Sequence, residues 1–348
     1  MASRLRTSSH KLKGFTLAPC SSRQATSSIP YFPPNRTQLR YAVSASIPTS
    51  TVTSPSPAKE AATLCLSWPH KGWDHDVASQ VVASHRTPRN LSDKFAYALI
   101  RICKWGMDFL SGMPPETPAF RPGDEKALLA ARQRTMTESQ WLVRFIFLES
   151  LAGIPGLVAG SLRHLSSIRR FAPDQGWIKT LLEESYNERM HLLTFLTMYK
   201  PGFIMRAMVF AAQGVFYNTL FITYLISPKF VHRFVGYLEE EAVHTYSRCL
   251  RELDMGLLPR WTEDKDFKIP EVAVMYWGMK EGNRGMRDLV LYIRADEASH
   301  RGVNHTLGNL DQETDPNPFV DAHSADSHMA VAAVRPAGLE REEVVGKQ

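Results

Sequence analysis

Two Glu-x-x-His units carry the side chains with the clearest chemical potential: Glu188-Arg-Met-His191 and Glu297-Ala-Ser-His300. Each unit lies in a long stretch with helical periodicity. Because residues three apart share a helix face, each unit presents one carboxylate and one imidazole toward the same point. Ligands of these two types together suit redox metals such as iron and manganese.

Further carboxylates precede each unit on separate helical stretches. Glu149 lies within the apolar segment FIFLESLAGIPG, and three consecutive acids, Glu239–Glu241, lie within GYLEEEAVHTY. One Glu from each of two helices and a Glu-x-x-His from each of two others form the ligand set of di-iron and di-manganese carboxylate bundles. An acid among neighbours as apolar as those of Glu149 is normally paired or metal-bound. The sequence therefore predicts a redox metal site that handles dioxygen.

The helical spacing does not identify which residue of the acidic cluster is the ligand. Consecutive helical residues point about 100° apart, so spacing alone does not tell which of Glu239, Glu240 and Glu241 faces the metals. Glu241-Ala-Val-His244 is a third pair with the same spacing. Tyr246 follows Glu239 by seven residues, about two turns, and shares its face. Such a tyrosine either supplies an electron and a proton during O–O cleavage or is a core tyrosine hydrogen-bonded to a carboxylate.

Long helices must position these residues, and the periodicity predicts helices at about 92–111, 137–168, 174–199, 207–226, 228–255 and 284–310. The predicted fold is all-α, a ferritin-like four-helix di-iron bundle with two additional membrane-associating helices. Residues 137–310 would form the bundle, including an apolar helix near 204–226. Residues 61–136 would form an N-terminal arm, irregular at first, and an amphipathic membrane-interface helix.

The two additional helices differ in pattern. The stretch 92–111 repeats apolar residues from Phe95 to Phe109 at helical spacing with basic residues among them, which is typical of a helix lying in a membrane interface. A helix packed on the protein's own core has the same periodicity. The stretch 207–226 contains no charge over a length that could cross a bilayer. Polar residues such as Gln213 and Asn218 interrupt it, so we interpret it as partly embedded in one leaflet, with a spanning helix as the alternative.

The positive charge is confined to the N-terminus. The net charge is +6, yet residues 1–59 hold eight Lys or Arg and no acid, which leaves 33 basic and 35 acidic residues beyond them. This distribution argues against a nucleic-acid partner. An Arg- and Ser-rich leader without acids is typical of an organellar transit peptide, and we predict residues 1–60 to be a disordered mitochondrial one; a plain disordered tail is the alternative. Residues 311–348 lack periodicity and are predicted to be a disordered C-terminal tail.

Four motifs resemble a known family. NERMHLLTF, GYLEEEAVHTY and RADEASHRGVNH are similar to signature segments of the mitochondrial alternative oxidases, with ESLAGIPG as the fourth, and the resemblance covers roughly residues 90–310. The sequence of the last helix is similar to that of the fungal members of this family. The resemblance implies a ubiquinol oxidase that reduces dioxygen to water at a non-haem centre of two iron ions per subunit. It also implies a homodimer on the matrix side of the inner mitochondrial membrane, with cyanide-resistant respiration and no proton pumping.

The resemblance also implies residue roles. The iron ligands would be Glu149, Glu188, His191, Glu239, Glu297 and His300. This set selects Glu239 from the acidic cluster and leaves His244 out, and the redox tyrosine would be Tyr246. The quinol pocket would be lined by Arg144, Leu148, Leu238, Glu241, Ala242 and Thr245. Hydrogen-bonding residues near the site would be Asn187, Tyr224, His232 and Asp296.

Three other functions compete with this one. A di-iron hydroxylase or desaturase would act on an organic substrate, and a hydroxylase would make an oxygenated product. A ferritin-like iron-binding protein would show no turnover, although the two membrane-associating helices argue against a soluble storage shell. A membrane scaffold whose carboxylates pair with Arg and Lys would hold no stoichiometric iron.

Overall fold

The computed structural model describes residues 62, 65, 67–121, 123–320 and 328–346, and its regular structure there is helical. The predicted transit peptide, residues 1–60, lies outside the described residues. The helices with described bounds are α1 (His75–Ser79), α2 (Leu91–Ser111), α3 (Glu125–Arg132), α4 (Glu138–Arg170), α5 (Trp177–Met198), α6 (Phe203–Ile226), α7 (Pro228–Asp254), α8 (Pro259–Thr262), α9 (Glu271–Tyr276), α10 (Met286–Asn309), α11 (His328–Ala333) and α12 (Arg341–Val345). The prediction of an all-α fold is confirmed.

Four long helices form the bundle, α4 packed along α5 and α7 packed along α10. A capping box begins α4: Thr137 accepts the backbone N–H of Gln140 (3.3 Å), and the Gln140 side chain accepts the backbone N–H of Thr137 (2.9 Å). The helix α7 begins with Pro228 at its first position, where the missing N–H costs no helical hydrogen bond. These four helices carry the predicted ligands, so the four-helix bundle is confirmed.

Glycines bring α4 and α5 unusually close together. A Cβ added at Gly156 would lie 2.5 Å from the carbonyl oxygen of Leu181, and one at Gly153 would lie 3.1 Å from that of Ser185. The Ser185 hydroxyl also donates a hydrogen bond to the carbonyl of Gly153 (2.6 Å). The segment ESLAGIPG therefore positions α5, which carries the first Glu-x-x-His unit, against α4, which carries Glu149.

The helices α2 and α6 lie on the outside of the bundle. The buried face of α2 packs on α7, while its opposite face leaves Phe95, Trp105 and Phe109 65%, 69% and 73% exposed. The helix α6 packs on α4 and α7 through Leu220 and Tyr224. Both α4 and α6 are long and apolar enough to cross a membrane, but the most apolar window of α4 is 61% buried in the bundle and that of α6 only 11%. The described chain thus leaves apolar faces of α2 and α6 uncovered.

Two segments predicted to be irregular contain short helices. The described part of 311–348, the segment for which we predict a disordered tail, contains α11 and α12 and packs on α10. Ala332 and Ala333 are buried there, and such small side chains at a close backbone approach leave no periodic signal in the sequence. The irregular start of the arm likewise contains the short helix α1, capped by the side chain of Asp74.

Candidate metal centre

The six predicted ligands converge in the middle of the bundle, each at most 4% exposed. They form two overlapping groups, one of Glu149, Glu188, His191 and Glu297 and one of Glu188, Glu239, Glu297 and His300. Within each group the ligand atoms lie within 4.8 Å of one another. Because Glu188 and Glu297 belong to both groups, these two carboxylates would contribute to holding each ion of a pair.

Several ligand atoms lack the partners that a buried polar atom needs. The Nδ1 atom of His191 lies 3.3 Å from Glu149 Oε2, and that of His300 lies 2.6 Å from Glu188 Oε1. Four ligand atoms are nevertheless buried without an aligned hydrogen bond from the described residues: both oxygens of Glu188, Oε2 of Glu297 and Nδ1 of His300. Each such atom costs about 1–3 kcal/mol, and a metal ion at this point would satisfy them together. The donor set therefore fits a metal pair.

The carboxylates of the site are buried and repel one another. Burial and repulsion from Glu188 and Glu297 raise the pKa of Glu149 well above its ordinary value. Burial and the same two neighbours, Glu297 first, raise the pKa of Glu239 in the same way. Four carboxylates this close cannot all ionise unless a positive charge compensates them. Two divalent ions would balance four carboxylates, and carboxylate and imidazole ligands suit iron.

A fully buried carboxylate, Asp296, fixes the orientation of His191. Five donors surround it: His191 Nε2 (3.0 Å), Trp277 Nε1 (2.8 Å), Asn187 Nδ2 (3.1 Å), Trp73 Nε1 (2.6 Å) and His70 Nε2 (3.0 Å). A histidine that donates its Nε2 proton to a carboxylate keeps Nδ1 free for a metal. Asn187 and Asp296 therefore lie beside the site, as the resemblance implies.

Tyr246 touches a ligand directly. Its side chain is 2% exposed, and its hydroxyl donates a hydrogen bond to Glu149 Oε1. Its ring stacks on Phe145, with ring centroids 4.8 Å apart. The tyrosine is thus held against the metal site, in a position from which its proton can reach Glu149.

The three acids of the cluster face three different surroundings. Glu239 belongs to the metal site, Glu240 accepts hydrogen bonds from the backbone of Arg86 (2.8 Å) and pairs with His305 (2.9 Å), and Glu241 lies 3.4 Å from Arg101. The side chain of His244 is 48% exposed, lies 3.7 Å from Glu116 and belongs to neither ligand group among the described residues. The 100° step between consecutive helical residues explains this division.

A cavity of about 490 Å³ lies between α2, α4, α6 and α7 and reaches Glu149, Glu239, Glu297 and Tyr246. All six residues that the resemblance assigns to a quinol pocket line it: Arg144, Leu148, Leu238, Glu241, Ala242 and Thr245. Arg144 is only 3% exposed, and its guanidinium donates to Asp108 Oδ1 (2.7 Å) and Ser111 Oγ (2.6 Å) of α2. It is therefore no ordinary surface arginine.

The remaining two predicted residues, Tyr224 and His232, are connected to the ligand-bearing helices through Asn304. The hydroxyl of Tyr224 lies 3.2 Å from His232 Nε2, and His232 Nδ1 lies 2.9 Å from Asn304 Oδ1. Asn304 Nδ2 donates to both oxygens of Glu184 at 3.0 Å. This row of side chains connects α6, α7, α10 and α5.

Sequence reasoning missed five supporting residues. Glu184 and Asn304 lie one turn before Glu188 and one turn after His300, so helical spacing could have found them. The partners of Asp296, namely His70, Trp73 and Trp277, carry no comparable signal.

The comparisons with known proteins agree with this geometry. The chain matches the family model described as Alternative oxidase over residues 73–309. It is 59% identical over 281 residues to the "Alternative oxidase, mitochondrial" of Pyricularia oryzae, an alignment that covers 81% of this chain and 74% of the relative. The proteins of the same name from Neurospora crassa and Botryotinia fuckeliana are 55% and 53% identical, covering 83% and 80% of this chain and 81% and 79% of the relatives. The chain, an oxidoreductase with a buried carboxylate and histidine metal site, belongs to the alternative oxidase family.

Proposed function

We propose that this protein oxidises ubiquinol and reduces dioxygen to water at a pair of iron ions in each subunit, without pumping protons and with resistance to cyanide. The observation that carries the proposal is the cavity described above. It is lined by residues of α2 and α6, including the exposed Val215, and it reaches the carboxylates of the metal site. A hydrophobic substrate dissolved in a membrane would therefore reach the metal centre without entering water.

The chain's own residues divide the work of this reaction. Bound iron would supply the electron exchange between the quinol and dioxygen. Asp296 pairs with Nε2 of His191, so Nδ1 of this ring would be free to hold an ion, and Glu188 and Glu297, which belong to both ligand groups, would help to hold both ions. The hydroxyl of Tyr246 holds a proton against Glu149 Oε1, where proton transfer needs no side-chain movement.

Arg144 is suited to orient the quinol head. Its two terminal nitrogens are fixed by Asp108 and Ser111, while its Nε is buried without a partner in the described part of the chain. An unpaired donor of this kind on the wall of an apolar cavity favours a ligand that brings an oxygen to it. The ring oxygen of a quinol is such a group.

The proposal extends to location and assembly. The mitochondrial names of the relatives and the basic, acid-free leader support import into mitochondria. The exposed apolar faces of α2 and α6 support binding to one leaflet of the inner membrane, which we place on the matrix side. Exposed Leu157, Leu165 and Ile168 along α4 support a homodimer.

The decisive experiment is ubiquinol-dependent oxygen uptake by purified protein reconstituted in membranes, with cyanide present. We expect uptake by the wild type and none by Glu188→Ala. Glu183→Ala is the matched control, because Glu183 lies on the same helix but is paired with Lys179 at the surface (3.4 Å). A wild-type sample that holds two irons per chain and shows no uptake would overturn the proposal. It would direct attention to a hydroxylase or desaturase, recognised by its organic product.

A further inference from the structure

The last described segment, residues 328–346, lies along the second half of α10; we call it the strap. Its helix α11 packs on α10 with Ala332 completely buried. Further along, the backbone N–H of Leu339 donates to Thr306 Oγ1 (2.9 Å), and Asn309 Nδ2 donates to the carbonyl of Leu339 (2.9 Å). The strap thus follows α10 from just beyond His300 to its C-terminal end.

Two glycines allow the strap to lie this close. A Cβ added at Gly302 of α10 would lie 2.8 Å from the carbonyl carbon of Ala332, closer than real Cβ atoms approach. A Cβ added at Gly338 of the strap would lie 2.7 Å from the carbonyl carbon of His305, and Gly338 has a φ of +73°, which favours glycine. The contact is therefore backbone against backbone, with one glycine on each side.

Ion pairs fasten the end of the strap to two other parts of the chain. Arg341 pairs with both oxygens of Asp315 (2.7 and 2.9 Å) in the segment after α10. Glu340 lies 2.9 Å from Arg89, which lies two residues before α2 and whose backbone N–H donates to Asp93 (3.1 Å). The strap therefore bridges the end of a ligand-bearing helix and the start of a helix with an exposed apolar face.

We propose that the strap is an intramolecular lock that holds α10, and with it His300, in register against the bundle and against the start of α2. His300 lies only two residues before the point of closest approach at Gly302. Release of the strap would free the second half of α10 to fray, and fraying that reaches His300 would loosen one metal ligand. The effect on metal retention rests on the proposed function, whereas the lock itself does not.

Hydrogen–deuterium exchange on the full chain tests the lock without metal or quinol. Gly302→Ala removes the space for the strap, and Arg341→Glu places a second carboxylate beside Asp315 while leaving the residues of α10 unchanged. The control is Gly106→Ala, a helical glycine of α2 where an added Cβ would have no atom of the described chain within 4 Å outside its own helix backbone. We expect amides of 303–309 and 331–340 to exchange at least about tenfold faster in both variants and at the wild-type rate in the control.

Two results would overturn the proposal. Unchanged exchange of 331–340 in both variants would show that neither the glycine contact nor the ion pair holds the strap. Faster exchange of 331–340 with unchanged protection of 303–309 would show that the strap covers α10 without locking it. The iron-loaded protein gives a second measurement, because the chelator-induced loss of iron should accelerate in both variants. If the metal proposal is wrong, the exchange result still stands by itself.

Discussion

Replacing Asp296 by asparagine should destabilise the protein far more than the loss of one charge suggests. Oδ2 of Asp296 accepts hydrogen bonds from His191, Trp277 and Asn187, and Oδ1 accepts them from Trp73 and His70. His70 is fixed as a donor, because its Nδ1 already accepts the backbone N–H of Gly72 (2.9 Å). A carboxylate with two acceptor oxygens can satisfy this set, and an amide cannot.

The size of the stability loss follows from the number of N–H donors that would point at the NH2 group of the new asparagine. With the amide nitrogen on the Trp73 side, two N–H groups point at it, and with the amide reversed, three do. Each buried donor left unpaired costs about 1–3 kcal/mol, so the better orientation predicts a loss of about 2–6 kcal/mol. At about 2–4 °C per kcal/mol, the melting temperature should fall by roughly 4–24 °C.

The assay is thermal unfolding of metal-free protein in detergent, followed by circular dichroism. Asp264→Asn is the matched control, because Asp264 is exposed and its hydrogen bond from the backbone of Asp266 (2.9 Å) can be accepted by an amide oxygen. That variant should stay within about 0.5 kcal/mol of the wild type. The reasoning is refuted if Asp296→Asn melts within a few degrees of the wild type.

Three further predictions concern the site and the bundle. Tyr246→Phe should keep its iron content but lose at least about 100-fold in ubiquinol-dependent oxygen uptake, because the proton held at Glu149 is gone; uptake at the wild-type rate would contradict this role. Gly156→Ala should separate α4 from α5, because the added Cβ would lie 2.5 Å from a backbone carbonyl oxygen, and urea unfolding should show a loss of about 1–3 kcal/mol in stability. The control is Gly214→Ala, whose added Cβ would have no atom of the described chain within 4 Å outside its own helix backbone, and this variant should not lose stability. Burial lowers the pKa of His305 from 6.5 to about 4. As the pH falls, the unfolded chain therefore binds a proton at His305 at a higher pH than the folded chain does. The stabilisation from neutral His305 is complete above pH 6.5 and is lost as pH falls toward 4, by at most about 1.4 kcal/mol per pH unit. Urea unfolding between pH 4 and 7 should show this slope reduced in His305→Gln, and equal slopes would exclude His305 as its source.

The ligand-bearing helices were predictable because their signal is local. The spacing of Glu188 and His191 on one helix face needs no knowledge of the rest of the chain. The choice of Glu239 over its two neighbours did not follow from spacing, because it depends on which way α7 is turned by its packing. The family resemblance supplied that choice, and the structure places Glu239 with the other ligands.

The parts that sequence reasoning missed depend on distant contacts. His70 and Trp73 reach Asp296 across more than 220 residues, and neither stands in a pattern that points to a carboxylate. Sequence reasoning did not predict the strap for a related reason. Its contact at Gly302 is made by backbone and alanine, which show no amphipathic period.

The long reach of His70 and Trp73 also has a consequence for the order in which the site is assembled. The two residues are separated from Asp296 by 226 and 223 positions, so this contact closes a very long loop and carries the entropy cost of doing so. The bundle helices can bring the six ligands together through their own packing, whereas the support of His191 is completed only when the N-terminal arm closes over it. We expect ions to enter before that closure, with the arm sealing the centre behind them.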